Sequence, residues 1–345
     1  MVPAAEAARR ASARMTGRLQ SLPILALSIH SACNCRCVMC DIWKANANKR
    51  EISPEALASH VAAIRDLYVK RVMLTGGEPL LNRDVWMLCA LLRSEGIAVT
   101  LVTTGLLLDG HADAIASNVD TVVVSLDGPA DVHDAIRRVP GGFDKIHRGV
   151  SALQRALHRP LLIARSVVQR ANHSRVGDTI AAARDIGFDE LSFLAADLSS
   201  KAFNRPEPWS DERKTDIAIP ADELPAFEDA IERARAGEEQ AFESGFIVGG
   251  VASLMRIHRY YSAVAGRAKF PKVRCNAPWV SAVLEPDGAV RPCFFHDAYP
   301  TEIGDLRDTL NSPRAIGFRK ALDVDTNPTC QRCVCSLNLP IMEDV

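Results

Sequence analysis

Ser31-Ala-Cys-Asn-Cys-Arg-Cys-Val-Met-Cys40 sets four cysteines within eight positions, between the apolar run Ile24–Ile29 and Asp41-Ile-Trp43. The run reads as a β-strand and the cysteine stretch as a strand-to-helix loop. Core thiols do not crowd in this way, because four weak polar groups would compete for one small space. Thiolate ligation of a soft metal or an iron–sulfur cluster accounts for the density. Two ligand sets remain open at this point. Zinc takes any four thiolates, commonly through C-x2-C pairs. An iron–sulfur site takes Cys33, Cys37 and Cys40 in C-x3-C-x2-C spacing, with Cys35 spare.

Outward from that loop, β-like runs alternate with amphipathic helical patterns as far as residue 194. The spacing predicts strands over 24–29, 71–74, 98–103, 121–125, 161–168 and 190–194. Helices are predicted over 54–68, 84–95, 111–117, 143–157 and 175–187. Before the first helix Ser53 suits the cap, Pro54 the first turn and Glu55 the dipole. Thr121-Val-Val-Val-Ser125 is apolar nearly throughout, as a covered parallel strand requires. Six βα units point to a barrel or a doubly wound sheet, with ligands at the C-terminal ends of the strands. The second strand ends there in Thr75-Gly76-Gly77-Glu78-Pro79, glycines that allow close backbone approach beside an acid able to receive an ammonium group.

The chain has 345 residues, 10 of them cysteine, with 41 basic against 42 acidic residues and a net charge of −1. That balance argues against a general nucleic-acid or polybasic membrane binder, and no apolar run approaches the roughly 18 residues of a membrane span. Met1–Arg18 is Ala- and Arg-rich and reads as a frayed or loosely helical tail. No export signal follows, so a cytoplasmic location is expected, and a secreted disulfide framework does not explain the cysteines.

On Cys33/Cys37/Cys40, Gly76-Gly77-Glu78-Pro79 and Ser125-Leu-Asp-Gly128, residues 22 to 200 resemble the radical S-adenosylmethionine (radical SAM) enzymes. The resemblance implies a [4Fe–4S] cluster on those three cysteines. Its open iron takes the amino and carboxylate groups of S-adenosylmethionine, whose reductive cleavage gives a 5′-deoxyadenosyl radical. It also implies SAM contacts: Gly76, Gly77 and Glu78 at the methionine amino group, Met39 near the adenine, Ser125 as a polar contact, Arg165 at the carboxylate and Leu194 against the adenine. Where the family often has Thr-Asn-Gly after the third strand, this chain has Thr103-Thr104-Gly105.

Near the C-terminus, Cys275, Cys293, Cys330, Cys333 and Cys335 accompany Pro286-Asp287-Gly288, a hairpin turn. With Asp287-Gly288 at its centre, Cys293 faces Ala282. The pattern resembles the "twitch" form of the SPASM extension. It implies one auxiliary [4Fe–4S] cluster on Cys275, Cys293, Cys330 and Cys333, with Cys335 competing for the last position. Cys89 reads as core.

The fold class expected is therefore α/β: a partial (β/α)6 TIM-like barrel with a small β-hairpin/helix auxiliary-cluster domain. The expected divisions are a tail (1–20), a core (21–215), a helical linker (216–268) and the auxiliary domain (269–345). Substrate-wall candidates in 199–270 are Arg256, His258, Tyr260 and Tyr261. The expected function is hydrogen abstraction from a small molecule for a net oxidation, with a reductant such as flavodoxin or ferredoxin. Peptide maturation is the alternative within the family, and a zinc or iron–sulfur scaffold or electron carrier the alternative outside it.

Overall fold

The computed structural model describes residues 2–300 and 305–345. Its sheet has eight strands: β1 (Ile24–His30), β2 (Arg71–Gly76), β3 (Ala98–Thr103), β4 (Thr121–Ser125), β5 (Leu161–Val168), β6 (Glu190–Ala195), β7 (Ser281–Leu284) and β8 (Val290–Arg291). Their order is β6-β5-β4-β3-β2-β1-β7-β8, and every pairing is parallel except β7 with β8 among those resolved in register. The six predicted strands are present, β3, β4 and β5 with the expected bounds. The chain divides into two compact units, 1–33/42–101/273–345 and 34–41/102–272, described in turn.

In the first unit β1 lies between β2 and β7, with Ile24 opposite both Arg71 and Ser281. The auxiliary hairpin therefore adds a strand to the main sheet. Its turn differs from expectation. Val283 pairs with Arg291 and Leu284 with Val290, which closes a three-residue loop, Pro286-Asp287-Gly288, and shifts the register by one. Gly288, at φ +84°, supplies the left-handed residue that such a loop needs. The predicted helix 54–68 is two helices, Pro54–Ala58 and Val61–Asp66. At the break, the Ser59 hydroxyl donates to the Ala56 carbonyl, competing with the helix ladder.

The N-terminal stretch, read as a frayed or loosely helical tail, is helical but anchored rather than frayed. Ala4–Thr16 is a helix with Glu6, Ala7, Arg10 and Ala13 buried. Arg10 is held by the Glu6 carboxylate and donates to the carbonyl of Glu343 at 2.6 Å. Charges on this segment thus serve as buried ties to the C-terminus, which composition alone reads as solvated.

In the second unit β4, β5 and β6 pair in register. On β5 and β6 burial alternates: Leu162, Ala164, Ser166 and Val168 are buried, while Ile163, Arg165 and Val167 are half-exposed. The period of two marks one face covered by helices and one open. Helices Val176–Ile186, Leu224–Gly237 and Gly250–Val264 pack together here.

Candidate functional site

In the first unit, the chain entering Cys33 is fixed by backbone bonds. Gly77 N–H donates to the His30 carbonyl at 2.7 Å and Glu78 N–H to that of Ala32 at 2.9 Å. Both glycines are dictated by this approach. A Cβ on Gly76 would lie 2.4 Å from the His30 oxygen, and one on Gly77 would lie 2.1 Å from that of Ala32. Glu78 is fully buried and accepts from Leu80 N–H at 3.0 Å. Asn46, which sequence reading missed, clasps Cys33 at both ends of its peptide unit. Its Oδ1 accepts from Cys33 N–H at 2.9 Å and its Nδ2 donates to the Cys33 carbonyl at 2.8 Å.

In the second unit, the cysteine loop lies along the end of the helix Ala130–Arg137. Arg36 N–H donates to the Arg137 carbonyl and Val38 N–H to that of Ile136, bracketing Cys37. Arg137 Nη1 reaches Cys37 Sγ at 3.6 Å, and its Nε donates to Asp127 Oδ2 at 2.6 Å. The Cys37 thiol is lowered to about 6. A hydrogen bond from Cys35 is the largest cause; burial opposes it and Arg137 reinforces it. Asp127, fully buried, also accepts from Val167 N–H at 2.9 Å, and its own N–H donates to His133 Nδ1 at 3.2 Å. Burial, with Arg137 second, pushes His133 down to about 4. Met39 is buried and Cys40 half-buried. Thr104, at the departure from the family's Asn, donates to Asn34 Oδ1 at 2.9 Å.

The expected SAM contacts on β4, β5 and β6 share the open face. Ser125 is the register partner of Arg165, Arg165 of Ser192, and Leu194 of Val167. Arg165 Nε donates to Ser192 Oγ at 3.2 Å. Of the four expected wall residues, Tyr260 and Tyr261 are placed otherwise. Tyr260 and Tyr261 are buried and donate to the carbonyls of Ala196 and Val168, bracing the ends of β6 and β5. Arg256 donates to the Lys272 carbonyl, and His258 packs on Phe227. Helical spacing hid these roles, because the tyrosine hydroxyls serve backbone groups distant in sequence.

The C-terminal cysteines all belong to the first unit. Burial is the largest cause raising Cys293 to about 11, opposed by the N–H groups of Phe295 and His296 and reinforced by Cys275 and Cys335. Burial likewise pushes Cys330 up to about 12, with Cys293 and Cys275 next. Cys333 is raised by burial and by Cys335, Cys275 and Cys293, while the Cys335 N–H opposes the shift. Cys293, Cys330 and Cys333 are thus each raised in part by the charge of Cys275 and of at least one other of the five. Converging, partly buried cysteines are the donor set of such a cluster, whose irons would supply the positive charge that holds them as thiolates, so these residues fit the implied group. Among the described residues, no three His, Cys, Asp or Glu side chains are close enough to hold a single ion; a four-iron cluster seats each thiolate on a different iron and needs a wider ring. Asn276 secures the tail beyond Cys335, donating to the Leu339 carbonyl and accepting from Leu339 N–H. Cys89 is fully buried in the helix Val85–Ser94, its thiol raised to about 12 by desolvation. The ten cysteines form no disulfide.

The chain matches the Radical SAM superfamily over residues 27–183 and the SPASM iron–sulfur cluster-binding domain over 275–334. It is 31% identical over 140 residues to the AdoMet-dependent heme synthase of Nitratidesulfovibrio vulgaris, covering 39% of this chain and 37% of the synthase. It is 23% identical over 299 residues to a protein of Methanothermobacter marburgensis named "Probable GTP 3',8-cyclase", covering 86% and 91%. The chain spans less than half the length of the heme synthases it matches. Among solved structures it resembles Streptococcus suis SuiB bound to precursor peptide SuiA, with TM-score 0.64 and 14% identity over 95% of this chain and 74% of that one. It also resembles anSMEcpe with bound AdoMet, with TM-score 0.64 and 19% identity over 91% and 83%. These likenesses establish the fold, a mostly parallel sheet of the partial TIM-like barrel type. No described helix is long and apolar enough to cross a membrane.

Proposed function

Since this chain is a radical SAM enzyme with a C-terminal SPASM domain, we propose that it abstracts hydrogen from a small-molecule substrate and completes a net oxidation. Its cofactors are [4Fe–4S] clusters and S-adenosylmethionine. Cys33, Cys37 and Cys40 would hold the catalytic cluster; Cys275, Cys293, Cys330 and Cys333 the auxiliary one. When bound, the three-thiolate cluster supplies the electron that cleaves SAM to the 5′-deoxyadenosyl radical.

The residues of the chain bind and orient. Arg137 stabilises the thiolate form of Cys37 and holds the cysteine loop against Asp127. Asn46 fixes Cys33. Ser125 and Arg165, side by side on the open face, offer a hydroxyl and a guanidinium to the SAM carboxylate. The Gly76-Gly77-Glu78 segment presents backbone to the methionine end, and Leu194 an apolar surface to the adenine.

The four cysteines Cys275, Cys293, Cys330 and Cys333 within the matched SPASM domain carry the reading of a net oxidation. With four thiolate ligands the auxiliary cluster would have no iron open to substrate, which suits electron acceptance. The names of the curated relatives, a heme synthase and a GTP cyclase, favour a small molecule. Electrons enter from a reductant such as flavodoxin or ferredoxin.

Anaerobic reconstitution tests the reading. Roughly eight irons per chain and 5′-deoxyadenosine formed from SAM and dithionite are expected; stoichiometric zinc without iron overturns it. Size-fractionated cell extract tests the substrate class. Stimulation of 5′-deoxyadenosine release by the low-mass fraction supports a small molecule, and stimulation by the polypeptide fraction alone transfers the proposal to peptide maturation.

A further inference from the structure

His296 lies three residues after Cys293, on the segment leaving β8. Its Nε2 is 3.4 Å from Cys330 Sγ, and its backbone N–H is directed at the Cys293 sulfur. One residue therefore addresses two of the expected auxiliary ligands with two different donors. The ring is fixed from the other side, edge-on to Phe318 at 5.1 Å between centroids, and Phe318 in turn meets Tyr299 edge-on at 6.0 Å. The His296 carbonyl accepts from Arg291 Nη1 at 3.2 Å, which anchors the segment to β8.

The separation decides what the ring is. Two ligands on different irons of one cluster do not sit within hydrogen-bond distance of each other, so His296 is not a fifth ligand competing with Cys330. A ligating Cys330 sulfur only accepts, which leaves the imidazole Nε2–H as the donor.

We propose that His296 is a positioning residue of the auxiliary iron–sulfur site, raising its reduction potential by donating its ring N–H to Cys330 Sγ. The inference rests on the reading that residues 275–335 hold a cluster. Reduction adds negative charge to the cluster and its ligand sulfurs. A donor aimed at one of those sulfurs stabilises the reduced state more than the oxidised one. The consequence is a better electron acceptor, which is what a net oxidation asks of this site. The backbone donation to Cys293 is independent of the side chain and survives its replacement.

The test is an EPR-monitored redox titration of the anaerobically reconstituted full chain, with iron content measured on each sample. His296→Phe keeps the aromatic edge against Phe318 and removes only the N–H; its auxiliary signal should titrate at a more negative potential with iron unchanged. His296→Gln restores a donor and should bring the potential back toward wild type. An unchanged potential in His296→Phe overturns the proposal, as does loss of about half the iron in that variant, which would make the ring a structural element or ligand. A wild-type chain with about four irons and a single cluster signal overturns instead the reading of 275–335, before any variant is compared.

Discussion

Arg137 donates to Asp127 at 2.6 Å and to Cys37 Sγ at 3.6 Å, so one buried guanidinium joins the end of β4 to the cysteine loop. Asp127 is fully inaccessible and Arg137 nearly so. Breaking such a pair from one side leaves an uncompensated buried charge. Arg137→Met should destabilise the protein by about 3–5 kcal/mol. Arg137→Met with Asp127→Leu should cost less than Arg137→Met alone. Urea unfolding of the three proteins checks the order, and a double variant less stable than the single one refutes it.

Gly77→Ala should abolish SAM cleavage, because the new methyl would sit 2.1 Å from the Ala32 oxygen and push apart the segments that place Cys33. Gly110→Ala is the control. That glycine lies within the helix Leu108–Asn118 with open space around it, and alanine there should raise stability by roughly 0.5–1 kcal/mol. The measurements are 5′-deoxyadenosine yield and melting temperature. Wild-type cleavage in Gly77→Ala would contradict the packing argument.

Cys333 and Cys335 are separated by their expected iron content. The Cys335 N–H supports the Cys333 sulfur, while Cys335 itself is exposed. Cys333→Ala should lose about half the iron and Cys335→Ala should keep it all. The reverse pattern would assign the position to Cys335.

His133 provides a pH dependence. Its folded-state proton affinity is depressed from 6.5 to about 4 by burial and Arg137, so below pH 6.5 the unfolded chain takes up a proton that the folded chain refuses. Its contribution is complete above that pH and is lost toward pH 4, at ~1.4 kcal/mol per unit. His133→Asn retains an acceptor for the Asp127 N–H and should flatten this part of the stability profile. Parallel slopes for the two proteins between pH 4.5 and 6.5 would count against the assignment.

Much of this was legible because strands and ligand spacing are local signals. Thr121–Ser125 and Leu161–Val168 announce themselves by β-branched runs, and the cysteines by density. Arg137, Asn46 and Tyr261 were not legible, since each partners a backbone or side chain far away in sequence: Cys37, Cys33 and Val168 respectively. Arg10 misled for the same reason, its buried partner being Glu343 at the opposite end of the chain. The hairpin register escaped by one residue because Pro-Asp-Gly serves two-residue and three-residue loops alike, and the cross-strand pairing, down to Glu285 with Ala289, distinguishes them.

The pairing of β7 with β1 has a consequence for synthesis. Until Ser281–Leu284 emerges from the ribosome, the flank of β1 that it covers is an unpaired strand edge, open to pairing with another chain. That edge closes only once Ser281, far along the chain from Ile24, has been made, a contact of very long range and slow to form. Nascent chains of this protein should therefore depend on chaperone protection along Ile24–Leu27, and release truncated before residue 281 should lead to aggregation rather than to a stable barrel fragment.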